Sequence, residues 1–228
     1  MAARAEYGPD VKTLGEAARQ FGRRHSPWMI LGSVAVLVTI RFAIADPLTW
    51  RDAVAAAAMA AVYPFGEWAI HVYLLHAPPL RIGGREFELL TTREHGSHHR
   101  HPNNLMTLLL GPKELVGLFL LAVPLVVGVG GLLVGSVAGP VPIGALLSAA
   151  IAGYVLVGVY EWTHYLIHTA YRPRTRAYRA VWRNHRLHHF KNEHYWHGIT
   201  NTVADRVLGT MPDHREVERS RTARTLRE

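Results

Sequence analysis

The chain has no cysteine. That absence removes disulfide frameworks, thiolate zinc fingers, iron–sulfur clusters and a cysteine nucleophile, so any bound metal must be held by imidazole or oxygen ligands. Charge is also scarce. Of 228 residues, 18% are charged against 49% apolar, and residues 115–160 contain no Asp, Glu, Lys or Arg at all. Such a composition excludes a disordered chain or a long polar coiled coil. Acidic residues are outnumbered, 17 against 25 Lys and Arg, for a formal charge of +8. An excess of this sign fits nucleic acid, an anionic membrane surface or a topology signal, and its placement decides among them. Against these shortages stand fifteen histidines, a residue that fills neither core nor surface in bulk.

The uncharged stretch is broken only by Gly139-Pro140-Val141-Pro142, which reads as a turn between two membrane-spanning arms, residues 115–138 and 143–160. At about 1.5 Å rise per residue, each arm crosses most or all of a hydrocarbon core of about 30 Å. A second hairpin lies upstream, residues 28–45 and 53–70, joined by a polar turn at 46–52. Arg41 falls near the outer end of its span, where it is expected to snorkel to the interface. Pro64 and Gly66 are expected to bend the second span. A soluble bundle would need a polar stripe along each helix, and the third and fourth segments have none. A cleaved leader ending at Ala43-Ile44-Ala45 is disfavoured by the charged segment before it and the length of its apolar core.

Arg4, Lys12, Arg19, Arg23 and Arg24 precede the first span, and Arg81, Arg85, Arg93, Arg100 and Lys113 lie between the hairpins. Thirteen more basic residues follow the fourth span, while the outer turns hold only Arg51. By the positive-inside rule both termini and the middle loop face the cytoplasm, which accounts for the charge without nucleic acid. The expected fold is all-α: an integral membrane four-helix bundle of two hairpins with a cytoplasmic helical cap. Residues 1–27 form a cytoplasmic N-terminal segment, 28–210 the membrane domain, and 211–228 a charged tail. The tail alternates arginine with Glu216, Glu218 and Glu228, the pattern of a solvated helical end.

Ten of the histidines form four motifs at or beyond the cytoplasmic ends of spans: His71 and His76; His95, His98 and His99; His164 and His168; His185, His188 and His189. On a helix, residues three and four apart share a face, whereas the adjacent pair in HxxHH diverges by about 100° and can address two ions. His164 and His168 point the same way. His71 and His76, about 140° apart on an ideal helix, either address different ions or require a local distortion. Ten imidazoles exceed the needs of one ion, so two metals are expected. The halves repeat, each running from an apolar hairpin through Glu-Trp and a histidine pair to HxxHH. Glu67 precedes His71 by four residues and Glu161 precedes His164 by three, so each carboxylate is placed to orient its neighbour's ring. Tyr160 could line the site or serve as an interfacial aromatic. His25, His101, His194, His197 and His214 are read as packing or hydrogen-bonding residues.

These motifs, HxxxxH, HxxHH, HxxxH and HxxHH in order, resemble the fatty acid hydroxylase/sterol desaturase superfamily from about residue 61 to 210. Finer texture agrees: EWxxH before the first pair, HGxHHxxP at 95–102, YExTHYxxH at 160–168, then HHFKNExxxxGIT and DxxLGT, closest to the fatty acid 2-hydroxylase branch. The resemblance implies a metal centre on the ten histidines with two ions, iron foremost, though zinc fits the same imidazoles. It implies dioxygen and two external electrons used to hydroxylate or desaturate a lipid or fatty acyl chain. A first segment of 27 residues is too short for a fused cytochrome, so a separate electron-donor protein is expected. The chain departs from the family in having Glu161 where Asp is frequent, Val72 where a basic residue is frequent, and His197 where an aromatic is usual. A membrane-embedded di-zinc hydrolase, with Glu67 or Glu161 as base, is the alternative of a different class. A lipid or carotenoid desaturase or hydroxylase of the same superfamily is another.

Overall fold

The computed structural model describes residues 7–45 and 47–226. Arg4 and Asp46, and Arg227 and Glu228 of the charged tail, lie outside them. The described chain is predominantly helical: α1 (Leu14–Phe21), α2 (His25–Ile44), α3 (Trp50–Ile70), β1 (Leu80–Ile82), β2 (Arg85–Phe87), α4 (Leu90–Arg100), α5 (Pro112–Gly117), α6 (Val123–Ala138), α7 (Ile143–Ile167), α8 (Arg176–Phe190) and α9 (Val203–Val207). A π-helical turn, His71–Leu75, continues α3, and another, Leu118–Ala122, joins α5 to α6. The all-α expectation needs one amendment, the antiparallel hairpin β1–β2, paired Leu80 to Phe87 and Ile82 to Arg85. Gly83 and Gly84, both at positive φ, make its two-residue turn, a backbone that residues with a Cβ rarely adopt.

Four helices are long and apolar enough to cross a membrane: His25–Ile44, Trp50–Leu75, Pro112–Ala138 and Ile143–Ile167. All four expected spans are present. The fourth runs seven residues past its expected end and carries His164 on its last turns. Pro64 sits inside α3 without ending it.

The chain divides into two compact units, one of residues 21–63 with 110–161, the other of residues up to 20 with 64–109 and 162 onward. The first unit packs a core of Ile30, Leu115, Phe119, Val123, Tyr154 and Val157. Its outward side chains are themselves apolar: Leu132 is 76% exposed and Val137 89%. That is the reverse of a water-soluble bundle and is the surface hydrocarbon would cover. Arg41 does not snorkel. It is buried, with its guanidinium on Asp52 Oδ1 at 2.7 Å, and Asp52 also accepts from Thr49 N at 2.8 Å and Ser148 Oγ at 2.7 Å. A charge that finds a partner and satisfied hydrogen bonds between helices has no reason to extend to the interface.

The second unit holds every histidine motif. Helix α1 begins with a capping box, Glu16 N donating to Thr13 Oγ1 at 3.2 Å and Thr13 N to Glu16 Oε2 at 3.0 Å. Ahead of it, Gly8 packs against the chain after α7: Ala170 N donates to Gly8 O at 3.1 Å, and a Cβ on Gly8 would collide with the His168 carbonyl. Helix α8 starts at Thr175, whose hydroxyl accepts from Tyr178 N at 3.1 Å. The tail is not a helical end. Residues 211–226 form turns and bends that pack back on this unit, with Ala223 buried.

Candidate metal centre

Helix ends deliver the ten histidines. The π turn after α3 closes with His76 N on His71 O at 3.1 Å, and the widened turn brings two residues five apart together, ring centroids 5.0 Å apart. This is the distortion that the HxxxxH spacing required. Helix α4 supplies His95, His98 and His99, the end of α7 supplies His164 with His168 just beyond it, and α8 supplies His185, His188 and His189.

The rings sort into two groups of five. His71, His76, His95, His99 and His188 form one; His98, His164, His168, His185 and His189 form the other, and in each group one nitrogen per ring lies within 4.8 Å of all the others. Each group takes four rings from one half of the sequence and one from the other. His188 crosses into the first and His98 into the second, so the diverging pair in each HxxHH does address two sites. All but His76 are buried.

The inward atoms are Nε2. His95 Nε2 meets those of His71 at 3.2 Å, His76 at 3.0 Å and His99 at 3.1 Å. His185 Nε2 meets those of His164 at 3.1 Å, His168 at 3.0 Å and His189 at 2.9 Å. In the first group the Nδ1 atoms of His71, His99 and His188 face the carbonyls of His197 (2.6 Å), Ala223 (2.9 Å) and Tyr195 (2.9 Å). A carbonyl only accepts, so these Nδ1 atoms carry the proton and the Nε2 atoms present bare lone pairs. One shared proton on His95 cannot satisfy three neighbours. A cation among the lone pairs can, so the donor set fits a metal. Burial, with the neighbouring rings, pushes His95, His98, His185, His188 and His189 well below the usual histidine range. Burial likewise lowers His99 to about 4 and His168 to about 3. Neutral imidazole is the ligating form.

Glu67 does not orient His71. Its Oε1 accepts from Ile199 N at 2.6 Å and Thr200 N at 3.0 Å, and its Oε2 from Thr200 Oγ1 at 2.5 Å. The carboxylate therefore pins the loop whose His197 carbonyl holds His71. The adjacent Trp68 ties its Nε1 to Thr210 Oγ1 at 2.9 Å. Glu161, in the other unit, accepts from Ser26 Oγ and from Leu110 N at 3.2 Å. Tyr160 is half-buried on α7.

Several site residues escaped the sequence reading. His197 is buried beside the first group, its ring centroid 5.3 Å from His71 and 5.2 Å from His188. Asp205 accepts from His197 N at 2.9 Å, Gly198 N at 2.7 Å and Thr210 Oγ1 at 2.6 Å. A Cβ on Gly198 would strike the Asn201 carbonyl, so this turn admits only glycine. The signal was present, since Glu193, Gly198, Thr200, Asp205 and Thr210 are all fixed letters of the HHFKNExxxxGIT and DxxLGT texture.

Four helices long and apolar enough to cross a membrane, with two all-histidine groups that could each hold a metal ion, define the class as a membrane protein with candidate metal sites. The comparisons place it further: the fatty acid hydroxylase profile matches residues 56–210, more than half the chain, and the protein belongs to that family. It is 30% identical over 156 residues to the dihydroceramide fatty acyl 2-hydroxylase FAH2 of Arabidopsis thaliana. The match covers 64% of this chain and 55% of that protein, so the chain spans about half the length of the curated relative. Its fold is similar to the visible hydroxylase domain of full-length Scs7p, with a TM-score of 0.63 at 18% identity, covering 86% of this chain and 68% of that one.

Proposed function

We propose that this protein is a membrane lipid mono-oxygenase that hydroxylates a fatty acyl chain, with ten histidines holding two metal ions, iron as the family implies. The observation that carries the reading is the sorting of ten imidazoles into two five-nitrogen groups with converging lone pairs. When bound, the ions supply the redox chemistry by which dioxygen and two electrons from a separate donor protein functionalise an unactivated C–H bond.

The chain's own residues prepare that site. Burial keeps the imidazoles neutral and excludes bulk water, and the carbonyls of His197, Ala223 and Tyr195 fix three of the rings in the ligating tautomer. Glu67 and Asp205 hold the loop that carries the His197 carbonyl. The basic residues orient both termini and the histidines to the cytoplasm, where a soluble donor can reach them. The proposed architecture is an integral membrane four-helix bundle of two hairpins with a cytoplasmic helical cap. The ligands then sit at the mouth of the leaflet, within reach of an acyl chain. The relative's 2-hydroxylase activity favours carbon 2 as the site of attack.

A di-zinc hydrolase would need a carboxylate base. Neither group contains one, Glu67 is occupied by Ile199 and Thr200, and Glu161 by Ser26 and Leu110. Expression in a host of defined lipids under isotopically labelled dioxygen tests the reading. The wild type should add one labelled oxygen to an acyl chain, detected by lipid mass spectrometry, and His188→Ala should add none. Unlabelled lipid, with iron bound and reductant supplied, would refute the proposal.

A further inference from the structure

The two histidine groups share a plan but are braced differently. In the first, His71, His99 and His188 each rest Nδ1 on a backbone carbonyl. In the second, His168 bonds to the backbone of Pro102, but the Nδ1 atoms of His98, His185 and His189 are buried without a hydrogen-bond partner among the described residues. His99 and His189 hold the same place in their HxxHH motifs, so the Ala223 carbonyl gives one what the other lacks. Ala223 lies beyond residue 210, where the family match ends.

The segment around it is fastened on both sides. Ser220 N donates to Lys191 O at 2.8 Å, and the hydroxyls of Ser220 and Thr222 donate to Glu193 Oε1 at 3.0 and 2.5 Å. Arg224 Nη2 donates to Arg100 O at 3.1 Å. Arg100 directly follows His99, and Glu193 lies four residues past His189 and is itself buried. Thus a buried carboxylate outside both metal groups has the tail hydroxyls as its partners, and those bonds deliver one carbonyl to one ligand.

We infer that residues 220–224 are a positioning strap for the first metal group, and that Ser220, Thr222 and Glu193 set its affinity above that of the second. The inference rests on reading the histidine groups as metal sites. A carbonyl behind an imidazole fixes its tautomer and orientation and raises its basicity, and losing such a partner typically costs 10–100-fold in metal affinity.

The test is zinc-ion competition against a fluorescent chelator, with the full-length protein in lipid nanodiscs. The wild type should bind two ions with distinct affinities. The double variant Ser220→Ala/Thr222→Val should weaken the tighter ion about 10–100-fold and leave the weaker one in place. Thr222→Ser, which keeps the hydroxyl, should bind as the wild type does. Equal weakening of both ions, or an unmoved tighter ion in the double variant, overturns the strap while leaving the two-metal reading intact. A wild type that binds no ion overturns both.

Discussion

Glu67 offers the sharpest test of how the first group is held. Its carboxylate is buried at the end of the second span and accepts two backbone N–H donors and one hydroxyl from residues 199–200. In Glu67→Ala the Ile199 and Thr200 amides lose their acceptor, and Ile199 is fully buried. A buried donor left unsatisfied costs about 1–3 kcal/mol, and the half-buried Thr200 amide adds less than that, so the loss should destabilise the protein by about 2–4 kcal/mol. Thr200 Oγ can rotate to another partner and adds little. Glu67→Gln retains a carbonyl oxygen for both amides and turns its NH2 toward Thr200 Oγ1, which can accept, so its cost should stay near 1 kcal/mol. Chemical unfolding in detergent micelles, followed by tryptophan fluorescence, measures both. The loop also carries the His197 carbonyl behind His71, so Glu67→Ala should loosen the ion of the first group specifically. Gln and Ala variants of equal stability would refute this account of the carboxylate, as would preferential loss of the second group's ion.

Three further outcomes follow from the same geometry. His98→Ala should empty the group built mainly from the second half of the sequence, and His188→Ala the group built mainly from the first, each read as a fall toward one metal ion per chain by elemental analysis. Acid should destabilise the metal-free protein. His99 and His168, lowered to about 4 and about 3, stay neutral when folded but protonate near 6.5 when unfolded, so stability is complete above pH 6.5. It should fall by about 1.4 kcal/mol per pH unit for each ring as pH drops toward those values, a slope that unfolding at pH 7, 6 and 5 will show or refute. Gly8→Ala should cost about 1–3 kcal/mol and expose the N-terminal segment to protease, because the new methyl meets the His168 carbonyl.

The ten histidines were legible because spacing is a local property: an HxxHH on a helix must split its adjacent pair between two directions, and it does. The spans were legible for the same reason, each being a run long enough to count. Contacts across long separations were not. Glu67 lies one helical turn before His71, and local geometry points it at that ring, yet its partners are 132 and 133 residues away. A buried amide, a half-buried one and a hydroxyl need an acceptor more than His71 does, because a carbonyl already serves the ring. Charge alternation misled in the tail. Between its arginines sit Ser220, Thr222 and Ala223, the small and hydroxylated residues that reach Glu193 and His99, while Arg215, Arg219, Arg221 and Arg224 are exposed. Arg41 misled in the other direction, since nothing in its neighbourhood announces that Asp52 and Ser148 will surround it.

The crossing of His98 and His188 carries a consequence for folding. Either half of the sequence alone offers four rings to its own group and strands the fifth, whose lone pairs would be buried with nothing to meet. Only when α4 and α8 pack together do both groups reach five, with His98 4.5 Å from His168 and His188 4.6 Å from His71 between ring centroids. On the proposed reading, metal binding energy would be folding energy for this unit, because an ion in either group would tie residues of both halves, as the His98–His189 contact across 91 residues already does. The internal repeat is therefore a requirement of the site, because neither copy of the motif set can complete a group without a ring from the other.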